Sequence, residues 1–294
     1  MKKLWFPLKN SWQEENLSGV LRAIGDRGSG KTTYMAALAR WPYTNPGSPV
    51  EAVKALNKDG EYLIQQAQKV LEQGLELPQT LLKQDVLEMK DYGLRIVLKK
   101  SFGQKTINLD INCKDYPGEF FRDLLHDRTR DPLLQNYLED CMLATGILLL
   151  LDGNAYQKDA DYALGIDKLR VAFDRAEPLQ QKRRIALVMT KCELADLSIN
   201  RNKPKSLNQA RFKQVCKKLE AWESSQAVSI EYFTASAFGM LGDRYPTGNS
   251  RQIKRDRDGV ASAIQDTKQW RPFGLVSPIY WLCTGKRHPQ LDWE

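Results

Sequence analysis

Histidine is nearly absent: His126 and His288 are the only two in 294 residues. A histidine-based metal site or a catalytic triad is hard to assemble from that pair. Cysteine is scarce as well. Cys113, Cys141, Cys192, Cys216 and Cys283 form no C-x-x-C pair, and two of them sit in apolar runs that read as core. An odd, scattered set argues against a disulfide framework or a zinc site. No apolar run approaches the roughly 18–20 residues that span a bilayer. The start, Met1-Lys2-Lys3-Leu4-Trp5-Phe6-Pro7, is basic, but its apolar stretch is too short for a signal peptide. These absences together point to a cytoplasmic protein with no membrane span.

What is present fits a globular protein. Hydrophobic residues make up 42% and charged residues 27%, and the length suffices for one large domain with a full core. The net charge of +8 gathers at Lys182-Arg183-Arg184, between Lys203 and Lys218, and between Arg251 and Arg257. Acids are interspersed there and aromatics are not interleaved, so these clusters read as solvated surface rather than as a nucleic-acid site. A positive bias also suits a polyphosphate ligand.

Strand and helix signals alternate along the chain without internal repeats. Gly19 to Ile24 reads as a strand, followed by a helix from about Lys31 to Arg40 that breaks at Trp41-Pro42. Ser48-Pro49 has the form of an N-cap and first-turn pair opening a helix, which Asp59-Gly60 interrupts. Leu63, Ile64, Ala67, Val70 and Leu71 then make one helical stripe ended by Gly74. Leu94–Leu98 and Thr106–Asn112 alternate as a hairpin. Asp131-Pro132 opens another helix. Ile147–Leu151 is a continuous apolar run, as a buried central strand requires. A helix from about Asp159 to Ala176, a strand at Arg184–Met189, a helix from Ser206 to about Trp222 and a strand at Ser229–Phe233 follow. The segment 239–268 is polar and glycine-containing, which predicts a mobile insertion. Ser277-Pro278 opens a short terminal helix stopped by Gly285. The alternation implies an α/β domain over residues 1–294, with a mostly parallel sheet between two helical layers and one antiparallel edge strand from the hairpin. Residues 41–92 form a helical insertion before the second strand.

The sharpest chemical signal is Gly25-Asp26-Arg27-Gly28-Ser29-Gly30-Lys31-Thr32, which matches G-x-x-x-x-G-K-[ST] at every position. Its glycines let backbone N–H groups turn inward around phosphate oxygens. Lys31 would bridge the β- and γ-phosphates, and the Thr32 hydroxyl would ligate magnesium. The helix that starts here, with Thr33 in its first turn, aims its positive end at the anion. The preceding strand and following helix are the context that a P-loop demands. The fold expected is therefore a three-layer P-loop NTPase.

Three further motifs follow in order. Asp115-Tyr116-Pro117-Gly118 stands after the strand ending near Cys113, Thr190-Lys191-Cys192-Glu193 ends the strand Ala186–Met189, and Ser236-Ala237 follows the last strand. Over most of its length the chain thus resembles the Ras-like GTPases of the translation-factor class. The long stretch from Trp41 to Tyr92 and the late Pro-Ile-Tyr-Trp-Leu helix are more similar to bacterial GTPases encoded with conflict or signalling systems. The resemblance implies GTP and GDP as ligands, Mg2+ as cofactor, and a switch that speaks to an effector or activating protein. It leaves a homo-oligomer open.

The same resemblance assigns roles to residues. Asp115 would hold magnesium, mostly through water, and the Gly118 amide would sense the γ-phosphate. Thr190 and Lys191 would serve the purine, and Glu193 would accept guanine N1–H and N2–H. The usual residue there is aspartate, so Asp196 stands as a fallback acceptor. The Ser236-Ala237 backbone would meet the guanine carbonyl. Thr80 would be the switch threonine that completes the magnesium shell. Glu119, where such proteins often carry a water-orienting glutamine, is acceptor-only when ionised and implies slow hydrolysis. Arg122, Arg128 and Arg130 lie just beyond it.

Two other readings stay open. Leu148–Asp152 resembles the Walker B strand of additional-strand ATPases, although Gly153 stands where their glutamate belongs. A nucleotide-binding interaction module with negligible turnover would use the same site.

Overall fold

The computed structural model describes residues 14–41, 48–75, 89–99, 106–125, 132–174, 182–242, 246–255 and 259–292. Its frame is a seven-stranded sheet built from β1 (Glu14–Ile24), β2 (Val50–Ala55), β3 (Asp91–Leu98), β4 (Thr106–Asp115), β5 (Gly146–Asp152), β6 (Arg183–Thr190) and β7 (Val228–Thr234), in the order β2-β3-β4-β1-β5-β6-β7. Strand β1 is parallel to both β4 and β5, and β5–β6 and β6–β7 are parallel. The β2–β3 and β3–β4 pairs are antiparallel and form the edge.

Alternation along the central strands divides the core. Leu148 and Leu150 of β5, with Ala186 and Val188 of β6, join one cluster. Helices α1 (Lys31–Arg40), α2 (Lys58–Gln73) and α9 (Val276–Thr284) cover it through Met35, Leu38, Leu63, Leu71, Ile279 and Leu282. Ile147, Leu149 and Leu151 join the other cluster, with Ile185, Leu187 and Met189. There α3 (Gly118–Leu125), α4 (Pro132–Met142), α5 (Asp159–Asp174) and α8 (Lys213–Ser224) supply Phe120, Phe121, Leu138, Ile166, Leu219 and Trp222. Two helical layers on one mostly parallel sheet are the expected α/β architecture.

Several local expectations change. Ser48-Pro49 does not open a helix: the residues after it form β2, whose Val-x-x-Val pattern pairs with β3. Buried Ser48 instead accepts hydrogen bonds from Trp41 Nε1 at 2.8 Å and Val50 N at 3.1 Å. The region 41–92 therefore carries a strand as well as a helix. Asp59-Gly60 does not interrupt α2 but lies in its first turn, where Asn57 accepts from Gly60 N. Gly60 is needed there because a Cβ would stand 2.2 Å from the Gly93 carbonyl oxygen. The helix expected from Ser206 to Trp222 is two, α7 (Pro204–Arg211) and α8, broken at Phe212 with φ −130°. Between them lies no polar loop but a buried aromatic.

The largest change is in 239–268. In place of a loop it carries two hairpins, β8 (Met240–Leu241) with β9 (Thr247–Gly248), and β10 (Ser250–Arg255) with β11 (Gly259–Ile264). Polar composition hid them because their outer faces meet water, while Ala263 and Ile264 are buried. Among the described residues no helix is long and apolar enough to cross a membrane.

Candidate functional site

In a parallel sheet the carboxyl ends of neighbouring strands converge on one rim. Here β1, β4, β5 and β6 bring Gly25, Asp115, Asp152 and Lys191 to that rim. A cleft of about 370 Å³ opens above it. At one end it is lined by Arg27, Gly28, Gly30, Lys31, Thr32, Thr33, Asp115, Gly118 and Glu119, and further along by Thr190, Lys191, Glu193, Ala235, Ala237 and Phe238.

The phosphate end is built by local chemistry. Gly28 and Gly30 sit at φ 79° and 87°, the left-handed region that glycine enters without strain. Gly30 is also the N-cap of α1; no side chain caps that helix and no acid stands in its first turn, so its positive end carries no compensating carboxylate of its own. Helix α2, by contrast, is closed by Asn57. Lys31 Nζ donates to the carbonyls of Gly25 at 2.8 Å and Asp26 at 3.0 Å. Burial lowers its pKa against the pull of Asp115, Asp26 and Glu119. Gly25, Asp26 and Ser29 support the loop rather than line the cleft. A Cβ on Gly25 would stand 2.3 Å from the Leu150 carbonyl oxygen. The Asp26 carboxylate turns away to Lys158 at 2.5 Å and Tyr162 at 3.1 Å.

Thr32 Oγ1 donates to Asp115 Oδ2 at 2.7 Å, joining the two expected magnesium ligands. The other Asp115 oxygen is buried without a hydrogen-bond partner, and burial raises this carboxyl against Lys31 and Thr32. An orphaned carboxylate oxygen beside a hydroxyl is the donor set a hard cation takes, so the residues fit Mg2+. Thr80, the expected switch threonine, lies outside the described residues, as do Arg128 and Arg130. Arg122 is described and exposed.

The turn after Asp115 is pinned from behind. Tyr116 donates to Asp140 Oδ2 at 2.5 Å, and Arg22 grips the same carboxylate through Nε at 2.6 Å and Nη2 at 2.8 Å. Burial pushes Asp140 upward, but Arg22 and Tyr116 outweigh it and hold the carboxyl low. Asp140→Ala would take the shared carboxylate from Arg22, Lys114 and Tyr116, leaving Arg22 the Leu21 carbonyl and Tyr116 only the Tyr137 carbonyl at 3.4 Å, at a cost of about 2 kcal/mol. Equilibrium unfolding checks this; an unchanged midpoint would contradict it.

At the other end Thr190 does not reach the cleft with its hydroxyl. It donates toward the carbonyls of Ser29 at 2.7 Å and Leu151 at 3.1 Å, tying the phosphate loop to the strand rim. Lys191 follows at φ 61°, a left-handed conformation that is costly for a side-chain-bearing residue, and its Nζ reaches Asp152 Oδ2 at 2.5 Å. Asp152 is thus engaged by lysine, while Thr32 pairs with Asp115, so the acid facing the phosphate-loop hydroxyl is Asp115 and not the Asp152 that ends the Leu148–Asp152 run. Glu193 is 3% exposed, and its Oε2 has no hydrogen-bond partner. Burial raises its pKa, while the Ser236 hydroxyl and Lys191 pull the other way. Asp196 stands elsewhere, half-exposed and paired with Arg211. Ser236 does not line the cleft: its N–H donates to the Phe273 carbonyl, and its hydroxyl accepts from Phe238 N at 3.2 Å and Gly239 N at 2.8 Å. Phe238 was not anticipated, although its place directly after Ser236-Ala237 is a usable signal. Lys90, Tyr92, Val70, Gly74, Ala261 and Ser262 also line the cleft, from elements whose approach no motif announces.

The model of the family described as Double-GTPase 1 matches residues 23–203. No curated protein matches the chain. Among solved structures, the chain is similar to an ADP-ribosylation factor-like GTP-binding protein, the small COPII coat GTPase Sar1 of Encephalitozoon cuniculi, in complex with GDP. The identity is 10% and the TM-score 0.32, over 74% of this chain and 69% of that one. The Ski7 GTPase-like domain of S. cerevisiae, bound to GDP and inorganic phosphate, shares 13% identity at a TM-score of 0.35, over 76% of this chain and 44% of that one. Era of Aquifex aeolicus, bound to GDP and AlF4−, shares 14% identity at 0.30, over 75% and 52%. The match thus spans about half or less of the Ski7 and Era chains.

Proposed function

The chain belongs to the Double-GTPase 1 family, and from that premise we propose that it binds GTP and GDP with Mg2+ in the rim cleft, hydrolyses GTP slowly, and acts in the cytoplasm as a nucleotide-dependent switch for a partner protein. The supporting observation is the layout of one cleft. Lys31, Thr32 and Asp115 stand at its phosphate end, and an unpartnered, buried Glu193 oxygen stands at its base end. Guanine carries two donors on one edge, N1–H and the N2 amino group, which a carboxylate accepts together. Of the Ser236-Ala237 pair, the Ala237 amide is our choice to meet the guanine carbonyl, because the Ser236 N–H is already given to the Phe273 carbonyl.

Magnesium, when bound, neutralises charge on the β- and γ-phosphate oxygens. Lys31 holds those phosphates, and Thr32 and Asp115 hold the metal. Glu119 enters the cleft from the first turn of α3. As a carboxylate it accepts a proton from water but donates nothing to the γ-phosphate. Intrinsic hydrolysis should therefore be slow, and an arginine from a partner would accelerate it by roughly 10³–10⁵.

Nucleotide titrations and single-turnover hydrolysis on the purified protein test this reading. GTP and GDP should bind far above ATP, in a Mg2+-dependent manner, with slow single turnover. Equal competition by ATP, or several turnovers per second from the isolated chain, would overturn it.

The raised Glu193 carboxyl adds a pH signature. The ionised form accepts both guanine donors, so affinity is full above the raised pKa and falls as protonation sets in. GDP binding should weaken on acidification earlier than an ordinary glutamate would allow. Titrations of the wild type and Glu193→Gln across that range check it, because the amide has nothing to protonate there. Identical pH profiles would remove Glu193 from the base site.

A further inference from the structure

Asp152 ends the apolar strand β5, and the phosphate chemistry leaves it without a task, since Thr32 faces Asp115 instead. Its carboxylate turns to Lys191, which lines the base end of the cleft. Oδ2 accepts from Lys191 Nζ at 2.5 Å, and Oδ1 accepts from the backbone N–H of Asn154 at 2.9 Å. One oxygen is thus fixed to its own strand end, and the other holds a residue 39 positions away.

The backbone of Lys191 is held on both sides. Before it, the Thr190 hydroxyl is tied to the Ser29 and Leu151 carbonyls. After it, Cys192 N donates to the Ala235 carbonyl at 3.1 Å, and the Lys191 carbonyl accepts from Leu194 N at 3.1 Å. These bonds keep the residue at φ 61°, a conformation that needs such support. The side chain is a different matter. A lysine stem is long and flexible, so a fixed backbone does not fix it. Among the described residues its ammonium is paired with Asp152. Asp152 cannot drift, because β5 and β6 set it beside Thr190 and Gly153 N donates to the Thr190 carbonyl at 3.2 Å. The lysine end of the pair is partly exposed, so the pair adds little to stability. What it supplies is order.

We infer that Asp152 is a positioning residue for the nucleobase: it holds the Lys191 ammonium at the strand rim, so that the Lys191 stem stands as a preset wall against the purine face. The inference rests on the reading of Lys191 as a purine contact. A lysine without that anchor has to be ordered when the nucleotide arrives, and affinity falls by what the ordering costs. The residue after Asp152 fits the same role. A Cβ on Gly153 would stand 3.2 Å from the Thr190 carbonyl oxygen and 2.4 Å from Leu197 Cδ1, so a side chain there would press on the loop that carries Lys191.

A double-mutant cycle in the full chain tests the pairing. GDP and inosine diphosphate affinities are measured for wild type, Asp152→Asn, Lys191→Met and the double variant, with Lys191→Ala as reference. Asparagine keeps the shape and the acceptor for Asn154 N but not the charge; methionine keeps an apolar stem but not the ammonium. Each single change should weaken GDP about three- to tenfold, the size of ordering one long side chain. The double variant should bind no worse than either single one, because both remove the same pair, whereas independent effects would multiply. Inosine diphosphate should weaken in the same proportion, since the stem meets the ring face and not the edge bearing the N2 amino group. The melting temperature without nucleotide should hardly change. An unchanged GDP affinity in Asp152→Asn or Lys191→Met, losses that multiply or come with a lower melting temperature, or a shifted ratio of GDP to inosine diphosphate affinity would each overturn the role of Asp152 alone. A Lys191→Ala variant that binds both nucleotides as wild type does would remove Lys191 from the purine, and the positioning role with it.

Discussion

Lys31→Ala is expected to lose GDP binding altogether while remaining folded. In the wild type, GDP at about 100 times its dissociation constant should stabilise the protein by about 2.7 kcal/mol, read as a rise in melting temperature. In the variant that rise should vanish. The Lys31 ammonium is buried and donates to two loop carbonyls, those of Gly25 and Asp26. Burial disfavours such a charge and lowers its pKa. Phosphate oxygens repay that cost with charge-assisted hydrogen bonds that neutral carbonyls cannot equal. Removing the charge from the unliganded protein also removes its desolvation, so the melting temperature without nucleotide should hardly fall. An undiminished GDP-dependent shift in Lys31→Ala would contradict the phosphate-loop assignment.

Glu193→Gln is expected to exchange the base preference. One carboxylate oxygen becomes an N–H donor. Guanine then loses one of its two acceptors and faces a donor across its own amino group. Xanthine carries a carbonyl at that position and gains a partner. GTP affinity should fall and xanthosine triphosphate affinity rise relative to it, a difference of several kcal/mol because an unpaired polar group in a buried site is costly. Asp196→Asn should leave both nucleotides unchanged, since Asp196 is engaged by Arg211 away from the cleft. If instead the Asp196 change removes GTP binding and the Glu193 change does not, the acceptor has been misassigned.

Much of the molecule is legible in its sequence. The glycine-rich loop is contiguous, so its spacing is visible in the sequence, and in the structure Lys31 and Thr32 open α1 and line the cleft. The central strands were legible too: an unbroken apolar run such as Ile147–Leu151 has few options other than burial on both faces. Short amphipathic pieces were less readable. Val50–Ala55 became a strand because β3 offered it an edge, although Ser48-Pro49 has the local form of a helix start. The strands of 239–268 are brief and half-wet, so their polar composition outweighed their pairing.

What the sequence by itself determined is the identity of the chemistry: a phosphate cradle, a lysine and a hydroxyl at one end, and an acid after Thr190-Lys191 at the other. These are local facts, carried by neighbouring residues whose backbone conformation follows from glycine content and from helix and strand propensity. Only the tertiary structure decided how those groups are presented. It brought Thr32 to Asp115, 83 positions apart, and turned Asp26 away to Lys158, 132 positions on. It buried Glu193 and gave Asp196 to Arg211. Contacts of that range depend on which elements the sheet order makes neighbours, and on the space each side chain leaves the next. Neither quantity is written in any single stretch of the chain.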